Sequence, residues 1–273
     1  AYLSEKVPVA DDICIEADSG AQTDRGMAYV LMPAMTKLRD EYSYKYDRPI
    51  RVGAAGGIGT PDAAAAAFVL GADFVLTGSI NQCTVESGQS STVKEILQTV
   101  NVQDTEYAPP VDLSEWGATI QVLKKGILFP SRAKKLFQLF HNYESWEELD
   151  INTKLQIETR FFNCSFEEVF EDAKTYFSPE EIKRAESSPK QKMALAFRWY
   201  YDQGARLAIE GRRERKVNFW VNCGPAMGAF NQWIKGTPLE SWKNRHVDDI
   251  AIKIMTGAAD LLNKRFAAFV KSR

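Results

Sequence analysis

Histidine is almost absent from this chain. Its 273 residues include only His141 and His246. Neither stands at metal-ligand spacing from an acid or a cysteine, so neither is assigned to a metal site or a catalytic triad. The four cysteines, Cys14, Cys83, Cys164 and Cys223, are scattered without a C-x-x-C pair. That pattern excludes a zinc ribbon or a disulfide frame and fits reduced thiols in a cytoplasm. No apolar run approaches the ~20 residues that span a bilayer. The start, AYLSEKVPVADD, lacks the basic and apolar regions of a signal peptide. Charge of one sign is not in excess either. The formal net charge of −2 argues against a broad nucleic-acid surface. G-x-S-x-G and H-E-x-x-H are both missing, which weakens hydrolase readings. There are no internal repeats, and the only low-complexity tract is a short alanine run.

What remains is ordinary in bulk, with 45% hydrophobic and 26% charged residues, and long enough for a large core. The informative stretch is Arg51 to Ser79, RVGAAGGIGTPDAAAAAFVLGADFVLTGS. Ile50–Ala55 reads as a buried strand ending in Gly56-Gly57-Ile58-Gly59. Thr60 suits an N-cap, Pro61 a first helical position and Asp62 a first turn. Ala63–Ala67 have the highest helix propensity available. Gly71 closes the helix, and Phe74–Leu76 forms a second strand ending in Thr77-Gly78-Ser79. Strand, glycine turn, helix, strand and glycine turn in about 30 residues make one βαβ unit.

Glycines without Cβ let the backbone turn sharply and approach a ligand, and the following helix start favours an anion. Parallel strands present the same ends, so Gly78 and Ser79 open on the same edge as Gly56 and Gly57. One such turn would read as an ordinary βα connection. Two on consecutive strands favour a phosphate site. The second strand ends without the acid of a dinucleotide-binding fold. Phosphate sites after late strands recur in TIM barrels. The two strands are therefore read as late barrel strands, and the ligand as a mononucleotide, with flavin mononucleotide (FMN) the leading candidate.

Elsewhere, Ala1–Val9 reads as the end of a helix stopped at Pro8. Asp12–Ala17 reads as a strand and Met27–Tyr46 as a helix. The polar loop Asp18–Asp24 between them is either catalytic or a plain turn with Asp24 capping the next helix. Three βα units are too few to close an eight-stranded barrel, so the expectation is that preceding strands, or another polypeptide, supply the rest. Ser90–Val100 reads as a short helix and Asp104–Gly117 as a long connection. Lys134–Glu210 is helical in character with interleaved aromatics, most of them core and a minority available to line an acyl tunnel. GRRERK at 211–216 is the one dense basic run, more often a solvated turn than a docking patch. Val217–Val221 alternates like a strand. CGPAMGAFNQW at 223–233 suggests either close packing near a flat ligand or plain tight packing. Val247–Val270 reads as a terminal amphipathic helix.

EADSGAQTD (16–24), the glycine unit extended to 82, VLKKGILFPSRAKKL (122–136), MALAFRWY (193–200) and CGPAMGAFNQW resemble the trans-acting enoyl reductases of polyunsaturated fatty acid and polyketide synthases. These are FMN-dependent, NADPH-using relatives of nitronate monooxygenases. The resemblance runs over nearly the whole chain. It implies an α/β fold, specifically the later strands of an FMN-binding (β/α)₈ TIM barrel with a helical substrate or lid region. The expected division is 1–103 for barrel, 104–215 for the helical region and 216–273 for a segment packing back on the barrel. It also implies that the chain is the C-terminal part of a longer enzyme. The implied reaction is NADPH-dependent, FMN-mediated reduction of an enoyl thioester carried by an acyl carrier protein. Gly56, Gly57, Gly78 and Ser79 would hold the FMN phosphate. The family usually reads S-G-G-H-T-D where this chain has Ser19-Gly20-Ala21-Gln22-Thr23-Asp24. Gln22 thus stands at the position of a histidine that faces flavin and substrate, and it cannot shuttle a proton near neutral pH. The departure weakens a nitronate monooxygenase reading most. It leaves open enoyl reduction and a flavin-binding subunit without activity.

Overall fold

The protein is described from a computed structural model, which covers residue 7 and residues 10–43, 50–114 and 117–271. The helix expected over 1–9 lies outside these residues, apart from Val7 itself, as does the end of the helix expected to reach Tyr46. The chain divides into two compact units. One comprises 1–105 with 222–273, the other 106–221.

The first unit opens with β1 (Asp12–Glu16), a three-residue strand β2 (Ala21–Thr23) and α1 (Ala28–Ser43). Next come β3 (Arg51–Ala55), α2 (Pro61–Val69) and β4 (Phe74–Val75). β1, β3 and β4 form a parallel sheet in that order, with Asp12 opposite Arg51, Glu16 opposite Ala55 and Gly53 opposite Phe74. This is an α/β fold with an open three-stranded sheet among the described residues. β4 is shorter than the run Phe74–Leu76 because Leu76, although its amide still donates to Ala54 O at 2.9 Å, already turns toward the Thr77-Gly78 loop. α2 begins as its residues dictate, with the Thr60 side chain accepting from the Ala63 amide and Pro61 at the first helical position. Asp73 fastens β4 to its neighbours by accepting from the Val52 amide at 2.7 Å and from Arg39 at 2.8 Å.

α3 (Ser91–Leu97) follows a 3₁₀ turn at Ser79–Cys83. Then the chain enters the second unit through β5 (Thr105–Ala108), which occupies part of the stretch expected to be pure connection, and β6 (Thr119–Leu123) lies beside it. The rest of this unit is helical: α4 (Phe129–Asn142), α5 (Ile151–Gln156) running into a π-helical turn at Ile157–Phe162, α6 (Phe166–Ala173), α7 (Pro179–Ser187) and α8 (Pro189–Glu210). Most of its aromatics are core, although Tyr176 is exposed. Trp146, Phe129, Phe162, Phe166, Phe197, Tyr200 and Tyr201 are all fully buried. Residues 217–221 are not a strand. Arg213–Asn218 wind into a 3₁₀ turn, and buried Asn218 is held by Tyr200 and Arg132. The backbone bonds as a turn and not as a ladder, with the Phe219 amide donating to the Lys216 carbonyl at 3.1 Å and the Trp220 amide to the Gly204 carbonyl at 3.0 Å.

The chain returns to the first unit with α9 (Ala226–Trp233) and α10 (Val247–Lys271). Ile250, Ile254 and Ala258 form one buried stripe of α10 and join a core containing Ala64, Ala65 and Ala67 of α2. Small residues allow the two helices to approach closely. A Cβ on Gly257 would stand 2.7 Å from the Pro61 ring. Among the described residues no helix is long and apolar enough to cross a membrane.

Gly53 is in β3 because the Phe74 ring lies over it, so close that a Cβ would fall 2.2 Å from the ring. Gly53→Val is therefore expected to cost about 1–3 kcal/mol through overpacking. Chemical denaturation would show it as a lowered midpoint, and an unchanged midpoint would mean that the ring swings away freely.

Candidate functional site

The carboxyl ends of β1, β3 and β4 meet around one cavity of about 310 Å³. Gly56 and Gly57 line it after β3, and Gly78 and Ser79 after β4, so the four residues expected to hold a phosphate come together. Gly56 and Gly57 have φ of +88° and +73°, a region that glycine enters at little cost. A Cβ on Gly56 would collide with the Ala17 carbonyl at 2.6 Å. Gly57 and Gly78 differ, because a Cβ on either would meet nothing within 4 Å and would enter open space. Among the described residues no acceptor is found for the Gly57 or Gly78 amide. The N-terminus of α2 adds its dipole on the same edge.

The other walls come from segments that the glycine pattern does not announce. β1 contributes Cys14 and Glu16. The Glu16 carboxylate accepts from the Ser19 hydroxyl at 2.6 Å, and both residues line the cavity. From the C-terminal part come Gly224 and Ala226. The Gly224 amide donates to Ser79 Oγ at 2.9 Å. Ser79 is thus committed in part to holding this distant segment. Gly20 lies at the same junction, where a Cβ would stand 2.6 Å from the Gly224 amide nitrogen and 2.7 Å from Ser79 Oγ. Gly59 is pressed against the Ala226 carbonyl in the same way, at 2.6 Å. The two readings of CGPAMGAFNQW divide between its glycines. Gly224 lines the cavity, whereas Gly228 serves packing alone, since a Cβ there would be 2.1 Å from the Val102 amide.

Gln22 sits on β2, exposed, and is not among the residues that line the cavity. Its loop is ordered by local bonds: Thr23 Oγ1 donates to Asp18 at 2.9 Å and accepts from the Arg25 amide at 3.0 Å. Asp24 accepts from the Gly26 amide at 3.2 Å. The preceding residue, Ala21, has φ of +108°. That is strained for a residue with a Cβ. The histidines have partners that no local spacing reveals. His246 Nδ1 is 2.7 Å from Glu86 Oε1, and His141 Nε2 is 3.0 Å from the Leu113 carbonyl.

Behind the cavity, fully buried Arg245 links Cys83, Asn231 and the carbonyls of Leu239 and Glu240. Cys83 ends the turn that begins at Ser79. Burial pushes its thiol up to about 11, with the Arg245 and Lys94 charges opposing. Burial likewise pushes Cys223 up to about 12.

The chain is similar to several known proteins. Residues 143–219 match the family model of the inserted helical domain of [acyl-carrier-protein] S-malonyltransferase. The polyketide biosynthesis protein PksE of Bacillus subtilis is 56% identical over 97% of this chain. One of the polyunsaturated fatty acid synthase proteins of Thraustochytrium is 42% identical over 96% of it. The chain spans only 35% of PksE and 18% of the Thraustochytrium protein. Among solved structures, the enoyl reductase domain of MlnA from the macrolactin cluster of Bacillus amyloliquefaciens superposes with a TM-score of 0.91 at 52% identity, over 96% of this chain and 60% of that one. FabK of Thermotoga maritima shares the fold at a TM-score of 0.56 and 18% identity, over 95% of this chain and 58% of that one.

Two outcomes follow from the site. Ala21→Gly removes the strain and is expected to stabilise the chain by about 1 kcal/mol, a melting rise of roughly 2–4 °C. A fall in melting temperature would mean that the Ala21 methyl packs usefully. In the alkaline range the buried thiols act as protons held by the folded state. The unfolded chain loses them near the ordinary 9.0, while folded Cys83 keeps its proton to about 11. The unfolded state then binds fewer protons, so stability falls as pH rises above 9.0. Denaturant titrations across that range should show the fall, and Cys83→Ala should make it shallower.

Proposed function

We propose that this chain forms the phosphate-binding part of an FMN-dependent enoyl reductase. The reaction is reduction of an enoyl thioester carried by an acyl carrier protein, with NADPH as reductant, in polyketide or polyunsaturated fatty acid synthesis. The observation that carries the reading is the pair of open glycine turns, Gly56-Gly57 and Gly78-Ser79, facing one cavity on adjacent parallel strands. Close similarity to a solved enoyl reductase domain supports the reaction. In this reading β1, β3 and β4 would be the later strands of a (β/α) barrel. The match of residues 143–219 to a domain of an acyl-carrier-protein transferase supports the acyl carrier protein as partner.

The residues present fit a flavin phosphate. The space that a Cβ on Gly57 or Gly78 would fill is open, and amide donors without protein acceptors among the described residues border it. Those amides would bind the phosphate oxygens, and the α2 dipole would add to them. Ser79, through its bond with the Gly224 amide, would keep the C-terminal wall closed against the cradle. The Glu16 carboxylate, fixed by Ser19, offers acceptors to hydroxyls beside the phosphate. Bound there, FMN supplies hydride transfer between NADPH and the β-carbon of the enoyl group. Gln22, exposed on β2 and outside the lining of this cavity, would orient by its amide only a thioester carbonyl or a water lying beyond that lining, and would not itself carry the proton. The missing base at this position speaks against nitronate oxidation.

The test is cofactor content and turnover. The complete enzyme that contains this chain should be yellow, release FMN on denaturation and oxidise NADPH only with an enoyl thioester present. Gly57→Asp and Gly78→Asp each put a carboxylate where phosphate should sit, and should weaken FMN binding about tenfold or more. Normal FMN occupancy in both variants would move the phosphate elsewhere. NADPH oxidation that depends on a nitronate and oxygen would replace the reaction.

A further inference from the structure

The basic run at the end of α8 does not have one fate. Gly211, at φ of +69°, ends the helix, and the residues after it sort into inward and outward groups. Arg215 turns inward and donates to the carbonyls of Phe161 and Phe162 at 3.4 and 3.2 Å. Arg132 is also committed inward, to Asn218 and over the Phe161 ring. Arg212 pairs with Glu210 at 2.9 Å. Lys216 instead projects over the neighbouring turn, its ammonium 3.8 Å from where a Cβ on Gly126 would stand. That turn is Lys124-Lys125-Gly126-Ile127, closed by a bond from the Ile127 amide to the Lys124 carbonyl. Lys124 and Lys216 are exposed and have no carboxylate partner among the described residues.

An exposed apolar residue accompanies each cation: Leu128 follows the Lys124 turn and Val217 comes directly after Lys216. The Leu128 amide donates to the Val217 carbonyl at 2.7 Å, which ties the two turns together. Leu128 and Val217 are 47% and 39% exposed. Exposed apolar residues beside lysines without carboxylate partners suit a protein interface, and such lysines are complemented by an acidic partner. A nucleic-acid backbone would call for a longer unbroken basic track, and Glu210 and Glu214 interrupt this one.

We infer that the surface made by the Lys124–Leu128 turn and the Arg212–Val217 turn is the docking site for an acidic acyl carrier protein. The naming of the carrier rests on the function proposed above, whereas the surface itself rests on Lys124, Lys216, Leu128 and Val217. Docking would be steered by the two lysines and completed by an apolar contact on the leucine and valine.

The probe is a fluorophore-labelled holo acyl carrier protein from a polyketide synthase, titrated against the purified protein. Wild type should bind, and should weaken several-fold as salt rises from about 50 to about 300 mM. Lys124→Glu combined with Lys216→Glu should weaken binding about tenfold or more. Lys183→Glu, on the exposed side of α7, should leave it unchanged. Circular dichroism establishes that the double variant is folded, and Leu128→Ser gives a second, charge-neutral loss. In turnover the double variant should raise KM for the carrier-linked enoyl substrate while leaving KM and kcat for a small soluble enoyl thioester unchanged. Equal binding by wild type and double variant overturns the inference, as does absence of wild-type binding or tighter binding of a single-stranded oligonucleotide than of the carrier. Carrier binding that is lost in the double variant, in a protein that reduces no enoyl thioester, would keep the surface and sink the reaction.

Discussion

The cavity exists because at one junction of the chain there is no room for a Cβ. Gly20, Gly56 and Gly59 each bring backbone within 2.6 Å of where a side chain would start, and each touches a different segment. Parallel pairing of β1 with β3, Glu16 opposite Ala55, brings the first two together. The Gly224–Ala226 segment then closes on Gly20 and Gly59. Any larger residue at these points would push a wall outward. Gly57 and Gly78 follow the opposite logic, since their missing side chains leave space that nothing in the protein takes. Structural glycines and ligand glycines thus sit side by side and are told apart by what their Cβ would meet.

Much of the first unit can be read from local chemistry. Thr60, Pro61 and Asp62 set the start of α2, and the strands on either side are bounded by glycine. These signals are short-range, so a single stretch of sequence contains them. The cavity walls are less legible. Gly20, Gly224 and Ala226 gain their roles from contacts across the fold, and neither spacing nor propensity encodes those contacts. Gln22 shows the same limit from the other side. Its position in a polar loop after a strand suggests the cavity, but the three-residue strand β2 carries it to an exposed place outside the lining. The alternation at 217–221 suggests a strand. The backbone winds into a 3₁₀ turn instead, closed by the Phe219 amide on the Lys216 carbonyl, while the Asn218 side chain bonds Tyr200 and Arg132.

The second unit illustrates how far composition can be trusted. Its interleaved aromatics form an interior in which Phe129 stacks on Trp220 at 5.7 Å and meets Tyr201 edge-on at 5.2 Å. Ser165 with Glu168 and Ser178 with Glu181 cap its short helices reciprocally. The basic run, by contrast, has no single reading. Arg215 holds the Phe161 and Phe162 carbonyls and Arg212 pairs with Glu210, while its last lysine faces outward, a division that side-chain geometry alone reveals.

The bond between the Gly224 amide and Ser79 Oγ joins residues 145 positions apart. During synthesis the cradle side emerges first and must wait for its closing wall. At about 5–20 residues per second that interval is on the order of 10 s. For that time an open edge and a half-built cavity stand exposed while the helical segment is still being made. The order of synthesis therefore asks the helical unit to fold promptly on its own, and makes the site one of the last parts of the chain to mature.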